Sequence, residues 1–123
     1  MKKQFINSKQ RYRDNLGRVP KSGIYCFYEN GDPMYVGRTN NMKDRIMTQG
    51  RLGSNHNSAQ FAFLMAREAA EKKGIDVIGR TRGELERDPT FNDLFIQSKI
   101  RVSNMSICLV SVEDQIKQAN FQV

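Results

Sequence analysis

The sequence predicts an α+β fold, a small three-stranded antiparallel sheet flanked by helices, on three observations. Ile24, Tyr25, Phe27 and Tyr28 on one side and Met34, Tyr35 and Val36 on the other flank the turn sequence Glu29-Asn30-Gly31-Asp32-Pro33, and β-branched and aromatic residues favour a pleated strand. Asn-Gly between them suits a hairpin, because both central residues of the favoured two-residue turn need positive φ. Further on, MSICLVSV over residues 105–112 has the content of a buried third strand, and two stretches before it repeat apolar residues at helical spacing.

At 123 residues and 14.2 kDa the chain forms one domain with a modest core and needs no staples. Lys and Arg number 20 against 13 acidic residues, a net +7, which favours a polyanionic partner. No apolar run spans a membrane and no signal-peptide pattern is present, so a cytoplasmic protein without a membrane partner is expected. Cys26 and Cys108 both fall in predicted strands and read as buried free thiols rather than a disulfide. With His56 as the single histidine they do not make a zinc site.

Residues 1–18 carry Lys2, Lys3, Lys9, Arg11, Arg13 and Arg18 against Asp14 alone. This stretch reads as a basic arm ahead of a domain over residues 19–123. It is either a solvated leader or an arm lying along a DNA backbone, with Lys2, Lys3, Arg11 and Arg13 neutralising phosphates. Phe5, Ile6, Tyr12 and Leu16 give part of it something to pack.

In the hairpin, alternation places Tyr25 and Phe27 on one face and Ile24, Cys26 and Tyr28 on the other, which turns Tyr25 away from part of the core. After Gly37 the chain reads Arg38-Thr39-Asn40-Asn41-Met42-Lys43-Asp44-Arg45-Ile46. An Asn suits the helix cap, Met42 and Ile46 give a buried stripe, and Arg45 lies at the edge of that stripe. Two phenols with Arg38 and Arg45 suit a phosphodiester: Arg grips phosphate by forked, charge-assisted hydrogen bonds, and a phenol exchanges a proton when neighbouring cations lower its pKa from about 10. Lys43 on the same helix is a further phosphate contact.

Gly23-Ile24-Tyr25, then Tyr35-Val36-Gly37 ten residues after the first tyrosine, then Arg45 ten after the second, resembles the GIY-YIG nuclease superfamily. The first triplet matches the family string and the second has Val for Ile. Singly, each residue reads as packing or a surface ion pair; the joint spacing carries the resemblance. It implies a GIY-YIG-like sheet flanked by helices, DNA as partner, and one divalent metal, Mg²⁺, supporting phosphodiester hydrolysis. In that scheme Tyr25 or Tyr35 activates or orients the attacking water, Arg45 stabilises the phosphate, and Arg38 stands where many members carry Lys or Arg close to that water. The resemblance covers residues 23–46 firmly and the segment from 105 onward as scaffold. A helical insertion is expected over about residues 58–103.

The segment QGRLGSNHN, residues 49–57, reads as a flexible loop with Arg51 and Asn55 as candidate phosphate contacts. Many relatives carry a His one turn beyond the helical Arg, where this chain has Gln49. His56 is either brought to the site by the loop or an ordinary loop residue. From Ser58, as cap, a helix runs to Gly74, with Phe61, Leu64, Met65 and Ala69 predicted inward. Residues 75–79 read as a short strand or a link, and RTRGELER, residues 80–87, as a solvated surface. Asp88 and Pro89 open a second helix with Phe91, Leu94, Phe95, Ser98 and Val102 inward, and Lys99 and Arg101 suit its dipole.

Glu113 and Asp114 begin a last helix that the sequence cuts within an element. The family's metal-binding Glu is expected on that helix, at about Gln122 or just beyond Val123. Either the natural protein continues into an extension or further domain that supplies the ligand, or catalysis has been lost. The expected function is a metal-dependent DNA endonuclease domain, with this chain binding nucleic acid weakly and cleaving it poorly. The alternative is a non-catalytic module that docks nucleic acid or protein on the same scaffold.

Overall fold

The structure, a computed structural model, describes residues 10–111. Its strands are β1 (Arg11–Tyr12), β2 (Gly23–Glu29), β3 (Asp32–Thr39) and β4 (Ser106–Ser111), and its helices are α1 (Met42–Gln49), α2 (Gln60–Lys72), α3 (Arg82–Arg87) and α4 (Pro89–Ser103). The chain divides into two compact units, one of residues 1–46 with 105–123 and one of residues 47–104. The helical middle thus falls in a unit of its own, residues 47–104. The fold is α+β and the sheet antiparallel, as the sequence predicts. It has four strands rather than three, in the order β1-β4-β2-β3.

In the first unit the extra strand is β1, whose Arg11 and Tyr12 pair with Ile107 and Ser106 on the outer side of β4. Two residues are too few to show alternation, so the sequence gives no warning of it. Part of the expected arm is therefore in the sheet. The Arg11 guanidinium donates to the carbonyl oxygens of Leu16 and Arg18 and ties its own loop.

β2 is the central strand, flanked by β4 and the edge strand β3. The turn forms as predicted, with Asn30 and Gly31 at φ 52° and 83°. Register shifts after Phe27, which faces Tyr35, so that Tyr28 faces Pro33 and Met34 is the extra residue. Pro33 is tolerated because an edge strand does not need its N–H.

Gly23, at φ 154°, is required twice. A Cβ there would run into the Val110 carbonyl, with its carbon 3.0 Å away, and L-residues avoid this φ. Gly23→Ala is expected to lower stability by about 2–4 kcal/mol, combining strain and overpacking. An unshifted urea midpoint would contradict that.

On one face of this sheet Cys26 stands directly opposite Cys108. Both are buried, unbridged, and packed with Val110, Ile24 and Tyr28. Burial pushes both thiols upward, which suits packing rather than nucleophilic chemistry.

The second unit is built on α2 against α4. The Phe63 ring lies 5.2 Å from Phe91 and 5.7 Å from Phe95, the latter edge-on. The buried residues of α2 are Phe61, Ala62, Phe63, Ala66 and Ala70. This corrects the predicted stripe, since Leu64 is 49% exposed. Alanines carry little hydropathy but let helices approach closely, so hydropathy alone favours the wrong phase.

Ser58 is not the cap of α2. Ala59 occupies that position and has no side-chain acceptor, and the Gln49 side chain instead accepts the Phe61 N–H at 3.1 Å. Removing that buried acceptor by Gln49→Leu is expected to destabilise the protein by about 1–2 kcal/mol, the value of a helix cap. Chemical denaturation checks it, and an unchanged midpoint would refute it.

Residues 75–79 form a link and turn rather than a strand, while residues 80–87 contain a helix where a solvated surface was expected. Thr81 accepts from the Glu84 N–H, the Glu84 carboxylate accepts from the Thr81 N–H, and Leu85 is buried. α4 begins as predicted, Asp88 accepting from the N–H groups of Thr90 and Phe91 with Pro89 at the first turn.

Arg80 donates to the second Asp88 oxygen at 2.8 Å. That hydrogen bond chiefly, followed by the two helix N–H groups, outweighs the effect of burial and holds the Asp88 carboxyl below its ordinary value of 3.8. A depressed carboxyl stabilises the fold fully above its unfolded value and loses that contribution as pH falls through the folded one. Asp88→Ala is therefore expected to lower Tm at pH 7, with the deficit shrinking below pH 3.8. An equal deficit at both ends would oppose this assignment.

Among the described residues no helix is long and apolar enough to cross a membrane. The predicted last helix from Glu113, with Gln122, lies outside the described residues, as do Lys2 and Lys3.

Candidate active site

Cross-strand partners share a face of a sheet. Tyr25 faces Gly37 and Phe27 faces Tyr35 across β2 and β3, so the two tyrosines lie diagonally on one face. Their ring centroids are 6.4 Å apart with planes tilted by 41°. Phe27 meets Tyr25 edge-on at 5.7 Å. Tyr25 is 2% exposed, more deeply placed than alternation alone implies, while Tyr35 is half-buried.

Gly37 determines where the Tyr25 hydroxyl goes. A Cβ on Gly37 would overlap the phenol oxygen and the carbon bearing it, with the adjacent ring carbon 2.7 Å away. The ring therefore lies across the backbone of β3 in space that only glycine leaves open. Because β3 is the outer strand, this carries the hydroxyl from the middle of the sheet toward its open edge. The glycine of the second triplet is thus a platform for the tyrosine of the first.

The cations are distributed differently from the sequence expectation. Arg38 faces Ile24, so alternation starts its side chain on the face opposite the tyrosines, and it lies within β3 rather than past its end. It is exposed on the edge strand. Arg45 and Lys43 are on α1, which follows β3 after a Thr39 turn in which the hydroxyl accepts the Asn41 N–H. The Met42 N–H binds the Lys21 carbonyl at 2.9 Å, anchoring the start of α1 to the chain just before β2. Met42 and Ile46 are buried as predicted, Arg45 is half-buried and Lys43 exposed. Arg13 sits in a single 3-10 turn, residues Arg13–Asn15.

His56 belongs to the second unit. Its backbone N–H and its Nδ1 both engage one Glu86 oxygen, at 2.7 and 3.0 Å, and its ring lies 6.0 Å from Phe63. The loop is therefore anchored rather than flexible. Gln49 is fully buried as the α2 cap. Arg51 and Asn55 are exposed on the loop.

Sequence reasoning missed Lys99. It is 4% exposed, and its ammonium donates to the carbonyls of Leu52 at 2.6 Å and Ser54 at 3.0 Å while lying 4.1 Å from the Phe95 ring centre. Burial lowers its pKa, partly offset by the Glu86 charge. Nothing local distinguishes it from a dipole-matching lysine, because its partners are more than forty residues away.

Among the described residues no group of three or more His, Cys, Asp or Glu side chains is placed to hold a metal ion. No donor set is assigned to one. No protein-family model, curated protein or solved structure matches the chain.

Proposed function

We propose that this chain is the hydrolytic domain of a metal-dependent DNA endonuclease of the GIY-YIG type. The observation that carries the reading is the tyrosine pair on adjacent strands, ring centroids 6.4 Å apart on one sheet face, with Gly37 leaving open the space over β3 in which the Tyr25 hydroxyl lies. Any side chain at Gly37 would collide with that hydroxyl and the ring carbon bearing it.

In this reading water attacks a DNA phosphorus in line. A new P–O bond forms as the bond to the leaving sugar oxygen breaks. The phenol oxygen of Tyr25 or Tyr35 orients the water and, as the phenolate, takes its proton while the leaving sugar oxygen is protonated by solvent, and Arg45 donates forked hydrogen bonds to the non-bridging oxygens as charge builds on them. The exposed Lys43 and Arg38 add positive potential for the incoming backbone. A divalent cation, when bound, supplies further charge stabilisation at the leaving oxygen.

Supercoiled plasmid incubated with the protein is expected to nick, though slowly, in Mg²⁺ and to stay intact in EDTA. Binding of plasmid without nicking in either condition would replace this reading with a nucleic-acid-docking module.

A further inference from the structure

The loop over residues 50–57 is held from below at every stage. A Cβ on Gly50 would lie 3.0 Å from the Ser103 backbone, so this glycine seats the loop directly on α4. The Ser54 N–H returns to the Arg51 carbonyl at 3.0 Å, closing a β-turn with Leu52 and Gly53 at its tip. The buried Lys99 ammonium binds the carbonyls on both sides of Gly53. Asn55 accepts from the N–H groups of Asn57 and Ser58, and Glu86 holds His56. Placing an ammonium beneath a loop costs desolvation, and here it secures backbone rather than a hydrophobic core.

What this rigid frame presents is unusual for a turn. Leu52 has no conformational reason to occupy a turn corner, where Gly, Pro, Asn and Asp are favoured, yet its side chain is 57% exposed. Beside it, Arg51 is exposed and makes no ion pair among the described residues. From Arg45 to Arg67 the sequence contains no Asp or Glu, so the loop has no carboxylate of its own, the one that meets it being Glu86 at His56. A fixed apolar point next to a guanidinium matches a duplex: the cation meets a backbone phosphate while the apolar side chain enters the minor groove and partly unstacks a base step.

We propose that this loop is a preformed DNA probe, in which Arg51 contacts a phosphate and Leu52 wedges into the minor groove. The inference deepens the nuclease reading and rests on it for the choice of DNA as ligand. Because the frame is rigid before binding, little ordering entropy opposes the contact.

The test uses the full chain and a fluorescein-labelled duplex with 2-aminopurine at successive steps, titrated at several salt concentrations. Arg51→Ala is expected to weaken binding and to reduce the slope of log K against log salt by about one phosphate's worth. Leu52→Ala is expected to weaken binding about tenfold at unchanged slope. It is also expected to abolish the rise in 2-aminopurine emission that the unmodified protein produces. Both residues are exposed, and thermal melts confirm that the variants fold. Wild-type binding that neither variant alters, with unchanged emission, overturns the probe while leaving the nuclease reading intact; a loop serving a protein partner would give this pattern. Failure of the unmodified protein to bind any DNA overturns both.

Discussion

Gly37→Ala is expected to reduce DNA cleavage by about a hundredfold while the protein still folds. The added methyl would occupy the space of the Tyr25 phenol oxygen and its ring carbon. Since Tyr25 is almost fully buried and held edge-on by Phe27, the ring cannot simply swing away. Overpacking of this kind costs about 1–3 kcal/mol, less than the about 5–15 kcal/mol by which domains are ordinarily stable. The hydroxyl, however, must move by an ångström or more, and misplacement on that scale costs about two orders of magnitude in rate. The measurement is single-turnover nicking beside a thermal melt. Wild-type rates from the alanine variant would show that the position of the Tyr25 hydroxyl is irrelevant to chemistry.

The second large effect concerns Arg45. Arg45→Ala is expected to slow nicking by about a hundredfold to a thousandfold, the range seen when a donor to a developing oxyanion is removed, with DNA affinity changed far less. Arg45→Lys separates the two roles of the side chain. Lysine keeps the charge but not the planar fork, so affinity should recover while the rate does not. Because Arg45 is half-buried on a helix whose Met42 and Ile46 anchor it, stability must be followed as well. A loss of cleavage that tracks unfolding would assign Arg45 to packing. A loss shared equally between affinity and rate would assign it to ground-state binding.

The features legible in the sequence are those whose causes are local. The Asn30-Gly31 turn, the strands beside it and the Asp88-Pro89 helix start each depend on neighbours within four residues, and all appear where expected. The Thr81-to-Glu84 capping box was legible too. The charge alternation of the same stretch reads as surface and masks it. What stayed hidden depends on partners distant in sequence. β1 exists only because β4 offers an edge, Gln49 caps a helix that begins eleven residues later, and Lys99 serves a loop on the far side of α2 in the sequence. The triplets themselves gave the spacing of the two tyrosines but not the reason for Gly37, which lies in cross-strand register. Arg38 shows the converse: adjacency to that glycine suggests a place beside the tyrosines, and alternation starts the side chain on the other face.

The two folded units also explain why composition was a blunt guide. Of the basic residues in the described part, Arg11 ties a turn, Arg80 pairs with Asp88 and Lys99 supports a loop. The 20 Lys and Arg of the sequence are therefore not all presented at the surface. The cations exposed at the surface, among them Arg38, Lys43 and Arg51, are the ones whose removal should flatten the salt dependence of binding.

The most direct test removes a single oxygen. Tyr25→Phe keeps the ring, its edge-on contact with Phe27 and its passage over Gly37, and deletes only the hydroxyl that the glycine lets through. Single-turnover nicking of supercoiled plasmid in Mg²⁺ should fall by about two orders of magnitude or more, as expected for loss of a proton-transfer group, with Tm and plasmid affinity close to those of the unmodified protein. Nicking at the unmodified rate by a folded Tyr25→Phe protein would contradict the account, and would make the tyrosine over Gly37 a packing residue.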